Sequence, residues 1–70
     1  MSELTERTQA AVVADPGSSA AAGALDGLSQ AEGPAAARAA ALAARKELLS
    51  RGNHDGAEAV FFRELALAAD

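Results

Sequence analysis

The chain has no cysteine, isoleucine, tyrosine or tryptophan, and only one histidine, one lysine and one asparagine among its 70 residues. Without cysteine there is no disulfide and no thiolate zinc site. A single histidine excludes a histidine-rich metal centre, so no metal is expected. The missing isoleucine, tyrosine and tryptophan are residue types that strands favour, and their absence points away from a β fold. Residues encoded by AT-rich codons are nearly lacking, which suggests a GC-rich genome, bacterial or that of a phage. No segment approaches the length of a membrane span, and the acidic, polar N-terminus lacks the apolar core of a signal peptide. The expected location is cytoplasmic.

What the chain does have is alanine, 21 residues of it. Alanine favours helix strongly but buries little area. The fold class expected is therefore all-α. A domain of this size buries too little surface to be comfortably stable alone, and with disulfides and metals excluded the remaining source of stability is a partner or self-association.

The formal charge is −4, which opposes a general nucleic-acid role. It is unevenly spread: residues 1–33 carry five acids and one base, residues 34–51 four bases and one acid, residues 52–70 four acids and one base. A basic middle segment between acidic flanks reads first as mutual screening, and second as a face for an acidic partner.

Along the chain, "ELTERTQAAVVA" at 3–14 predicts a short helix, with Ser2 as cap and Leu4, Ala11 and Val12 on one face. "DPG" at 15–17 stops it, because Pro16 disfavours helix at Asp15. "GSSAAAGA" at 17–24 reads as a flexible linker, and residues 25–33 as a single turn at most. The N-terminal segment 1–33 is thus expected to be loosely held. Pro34 then suits the first turn of a helix, with Gly33 before it. "AAARAAALAARKELLSR" follows unbroken, and Gly52 supplies the left-handed residue that ends helices. A helix is predicted over 34–51. Asp55 and Glu58 have the spacing of a capping box, predicting a second helix over 56–69. The short loop between the two makes residues 34–70 an antiparallel helical hairpin.

The second helix raises a burial problem. On a 100° wheel Ala57, Phe61, Leu65 and Ala68 form one stripe, widened by Phe62 and Ala69, while Val60 and Leu67 lie on another side. One neighbouring helix covers one side. The other needs the N-terminal segment, a second copy or a different protein. Exposed apolar faces of this kind mark interaction sites, so Val60, Phe61, Phe62, Leu65 and Leu67 are the candidate partner-binding residues. Arg38 and Arg45, seven apart on one face, are candidate contacts for an acidic partner, with salt bridges to Glu58 or Glu64 as the plainer alternative.

Residues 38–70 resemble one tetratricopeptide repeat. In "LLSRGNHDGAEAVFFRELALAAD", Gly52 falls at that family's turn glycine, Ala57 at its small residue and Phe61 at its aromatic, while Leu48 matches a bulky position in the first helix. Departures are Ala41 for an aromatic, Arg45 for a small residue, Glu64 for alanine and Ala69 for proline. The resemblance implies a protein–protein scaffold.

Chemistry of other kinds finds little support. His54, Asp55 and Glu58 read as a loop histidine followed by a cap rather than as a metal or acid–base cluster. Ser18, Ser19, Ser29 and Ser50 lack a positioned base. No phosphate-binding glycine loop or metalloprotease motif is present, so neither catalysis nor a cofactor is expected. A helix-turn-helix reading fails on charge, since the second helix carries one arginine in its body against two glutamates. The chain is expected to be a protein-interaction module or adaptor, or else a self-assembling or accessory subunit of a larger complex such as a virion or multi-subunit enzyme.

Overall fold

The computed structural model describes residues 2–68. It contains four helices, α1 (Glu3–Ala14), α2 (Ser19–Glu32), α3 (Pro34–Ser50) and α4 (His54–Ala68), and no strand among the described residues. The all-α class follows from the sequence's alanine content and its lack of strand formers.

Helix α3 is the hub, packing against α1, α2 and α4. Its inward face is Ala37, Ala40, Ala41, Ala44 and Leu48, all buried. Four alanines on one face let three neighbouring helices approach closely. Larger side chains from those neighbours fill the space: Val12 from α1, Leu25 and Leu28 from α2, Val60 from α4. One ion pair among the described residues crosses between helices, from Arg45 of α3 to Glu64 of α4.

Two expectations for the N-terminal third need correction. Residues 19–32 are neither linker nor single turn but the 14-residue helix α2. Ser18 caps it, its hydroxyl oxygen accepting from the Ala21 N–H at 3.0 Å. Ala21, Leu25 and Leu28 face inward, while Gly23 and Gly27 lie on the solvent side. Burying two leucines offsets the helix weakening by two glycines. In α1, the buried stripe is Thr5, Thr8 and Val12 rather than Leu4, Ala11 and Val12. The threonines win because Thr5 has a polar partner: its hydroxyl reaches Glu32 Oε1 at 3.3 Å, and the Ser2 hydroxyl donates to Glu32 Oε2 at 2.6 Å. This cluster ties the start of α1 to the end of α2.

The connections are very short. Gly33 alone joins α2 to α3, in the positive-φ region at 98°. Between α3 and α4, Gly52 has φ 77°, its N–H bonds the Leu49 carbonyl at 3.0 Å, and the Asn53 N–H bonds the Leu48 carbonyl at 2.9 Å. This is a Schellman stop. Asn53 then starts α4, its Oδ1 accepting from the Gly56 N–H at 2.9 Å. The cap is therefore Asn53, not Asp55, and the helix starts at 54, not 56. The proposed Asp55–Glu58 capping box does not form, because α4 is already one turn under way at Glu58. The predicted end of this helix at 69 lies outside the described residues.

Gly56 is fixed by its surroundings. A Cβ there would meet Asn53 Nδ2 at 2.7 Å and the Pro16 ring at 2.8 Å, whereas Gly23 and Gly27 face open space. Gly23→Ala and Gly27→Ala should each stabilise the fold by about 0.5–1 kcal/mol in urea unfolding. Gly56→Ala, the same change in another helix, should instead destabilise it by about 1–3 kcal/mol through displaced cap and loop. Equal effects at all three positions would show that the Pro16–Gly56 contact is not tight.

Candidate functional site

Helix α4 lies along α3 in the opposite direction. Arg38, near the start of α3, donates from Nη1 to the Leu67 carbonyl at 3.1 Å. Arg45, two turns on, pairs with Glu64, Nε to Oε1 at 3.2 Å and Nη2 to Oε2 at 3.5 Å. Both side chains of that pair are mostly shielded, at 26% and 20% exposure. The two arginines are thus held by α4. Of the two readings, the plainer one, a salt bridge to Glu64, forms for Arg45, and Arg38 spends its donor on a helix carbonyl.

These contacts set which way α4 faces. Ala57 and Val60 are buried, and Glu64 and Leu67 are half-buried on the same side. The inward stripe is 57, 60, 64 and 67, so a shielded carboxylate occupies one of its four positions. Val60 is fully buried, and Leu67 packs against the core. Neither presents a docking face as expected, because the Arg45–Glu64 pair turns that side of α4 onto α3. Phe61, Phe62 and Leu65 remain outside, at 39%, 60% and 50% exposure. The Ala68 side chain and Ala69, also placed on the apolar stripe by the wheel, lie outside the described residues.

Phe61 and Phe62 stand with ring centroids 6.4 Å apart. The Arg45 guanidinium carbon sits 5.1 Å from the Phe61 centroid, a cation–π contact that holds one ring against the α3 edge. On α3, the stripe 38, 42, 45, 49 flanks α4, since two of its members bond to it. Leu49 on that stripe is 44% exposed. The patch of Phe61, Phe62, Leu65 and Leu49 therefore spans the α3–α4 seam. Leu49 was not among the sequence candidates; its seven-residue spacing from Leu42 and alignment with Arg38 and Arg45 was the available signal.

The N-terminal helices do fold back, but onto α3 rather than over the phenylalanines. Helices α1 and α2 pack on α3 and each other, and α4 packs principally on α3. The Pro16 loop reaches only the first turn of α4.

Other concavities gather no comparable chemistry. One cleft of about 360 Å³ is lined by Glu6, Gln9, Ala10, Val13 and Glu47, and another of about 310 Å³ by Leu4, Arg7, Thr8, Ala24, Gly27 and Leu28. His54 is the first residue of α4 rather than a loop residue, and shares a face with Glu58. Both are exposed, and no three histidine or carboxylate side chains among the described residues are grouped to hold a metal ion. No described helix is long and apolar enough to cross a membrane. No family model matches the chain, and neither a curated protein nor a solved structure is significantly similar to it.

Separate roles for the two kinds of α4 residue lead to separate outcomes. Arg45→Ala leaves the shielded Glu64 carboxylate without its partner and should cost about 1–3 kcal/mol in urea unfolding. Leu49→Ala and Phe62→Ala, on the exposed patch, should each stay within about 0.5 kcal/mol of the parent. A loss at Phe62 as large as at Arg45 would make the ring part of the fold's support.

Proposed function

We propose that this chain is a non-catalytic protein-interaction module that docks another polypeptide on the Phe61–Phe62–Leu65 face of α4. One observation carries the reading. The core is poor in large side chains, yet the only two aromatic residues in the sequence lie outside it. A fully buried phenylalanine contributes about 1.5–3 kcal/mol. A small domain that leaves Phe61 39% and Phe62 60% exposed forgoes part of that stabilisation in the free state and recovers it on binding. Phe61 is also pre-positioned by the Arg45 guanidinium, which lowers the entropy cost of docking.

The resemblance of residues 38–70 to a tetratricopeptide unit supports the same reading, since such helical pairs expose apolar faces to neighbours. The basic charge of α3 gives no separate support for an acidic partner, because Arg38 and Arg45 are engaged with α4.

The double substitution Phe61→Ser with Phe62→Ser tests the proposal. The variant should unfold in urea within about 1 kcal/mol of the parent. The fluorescence of a dye that binds exposed apolar surface, anilinonaphthalene sulfonate, should fall severalfold at dilutions where the parent shows it. A variant that loses its helical circular dichroism, or one that binds the dye as the parent does, overturns the assignment.

A further inference from the structure

The docking face has a feature that selects its occupant: its two long edges carry opposite charge. Because Arg45 meets Glu64 and Phe61, the next residue, Lys46, lies level with the middle of α4, on the outer edge of α3. On α4, Glu58, Phe61, Phe62 and Leu65 follow the i, i+3, i+4, i+7 pattern of one helix face. Glu58 and Phe62 form its edge away from α3. Lys46 and Glu58 are both exposed, and neither belongs to an ion pair among the described residues. The apolar patch of Phe61, Phe62, Leu65 and Leu49 thus has an exposed lysine on its α3 side and an exposed glutamate beside Phe62 on its α4 side.

We propose that the occupant of this face is a second copy of the same chain, related by a two-fold axis through the patch. This inference rests on reading the Phe61–Phe62–Leu65 face as a docking site and names what docks there. A two-fold axis lying in the plane of the interface and running along the helices lays the α3 edge of each copy on the α4 edge of the other. Lys46 of one copy then meets Glu58 of the second, twice over, with the phenylalanines between them. An isologous interface demands such self-complementarity. A patch bordered by a single sign of charge would repel its own copy.

The apolar area alone falls short of a stable dimer and reaches the lower limit only with its charged flanks. At full size a phenylalanine covers about 150–250 Å², so the two rings alone leave roughly 200 Å² in water. Leu49 and Leu65, about half exposed, carry the apolar patch to several hundred Å², and the flanking charged side chains extend it further. Specific dimers begin at about 600 Å² per copy. An interface at this lower limit predicts association in the micromolar range rather than an obligate dimer.

Sedimentation equilibrium tests the pairing on the full chain with four proteins: the parent, Phe62→Ser, Lys46→Glu and Glu58→Lys. The parent should shift with concentration from 7.0 kDa toward twice that mass. Phe62→Ser should weaken association by at least about thirtyfold, as loss of a central aromatic anchor does. Lys46→Glu and Glu58→Lys, each setting like charges face to face, should each weaken it by about tenfold. Mixing the two charge variants should restore association to the parental level or beyond, since both contacts of the mixed dimer are again attractive. Circular dichroism of each variant establishes that the helices are intact.

A parental dimer that ignores the charge changes, or whose variants do not rescue each other, overturns this geometry. A parent that stays at 7.0 kDa at every concentration overturns the second copy as occupant. The docking-face reading is judged separately, by dye binding and stability of the Phe61, Phe62 double variant.

Discussion

The close approach allowed by four alanines on one face of α3 is the constraint on which the rest depends. Ala37, Ala40, Ala41 and Ala44 let α1, α2 and α4 converge on a single helix without large side chains holding them apart. The consequence is a thin core. Among the described residues only Leu25, Leu28, Leu48, Val12 and Val60 are large and fully buried. A core so small leaves polar contacts unusually important: Glu32 joins α1 to α2, Arg45 joins α3 to α4 through Glu64, and Arg38 fastens the last turns of α4.

Much of this was legible in the sequence. The ends of α1 and α3 were marked by Ser2, by Asp15–Pro16, by Gly33–Pro34 and by Gly52, because those residues act through local backbone chemistry that no tertiary contact overrides. Helix α2 was hidden by its composition. Glycine, serine and alanine make a segment look like a linker, yet Ala21, Leu25 and Leu28 already fall at helical spacing and Ser18 precedes them as a cap. What composition cannot register is that both glycines lie on the solvent side, where they weaken the helix without opening a gap in the core. The two candidate caps of α4 show a different ambiguity. Asn53 and Asp55 are equally good cap residues, and the choice was made by the Schellman stop of α3, which brings Asn53 into position one residue after Gly52.

The candidate site was legible in part for the same reason. An apolar wheel identifies which residues of α4 are too hydrophobic for water, but it cannot say which stripe the neighbour takes. Here the neighbour took the stripe containing a glutamate. Glu64 turns inward because Arg45 stands opposite, and the two carry a bidentate ion pair into a mostly shielded position. Had α4 rolled the other way, the phenylalanines would have entered the seam and left Glu64 in solvent. Instead Val60 enters beside Glu64, a smaller side chain suited to an alanine-lined surface.

Size explains why the rings stay outside. A face built of alanines holds α3 and its neighbours at short separation, and such a seam has room for valine and alanine but not for a stack of phenylalanines. Admitting Phe61 and Phe62 would push α4 outward, pulling it from Ala41 and Ala44 and breaking the reach of Arg38 to the Leu67 carbonyl. The tight packing of α3 and the exposed aromatic face of α4 are therefore two results of one cause. The same alanine face that lets a 70-residue chain close around one helix displaces its largest apolar side chains to the surface.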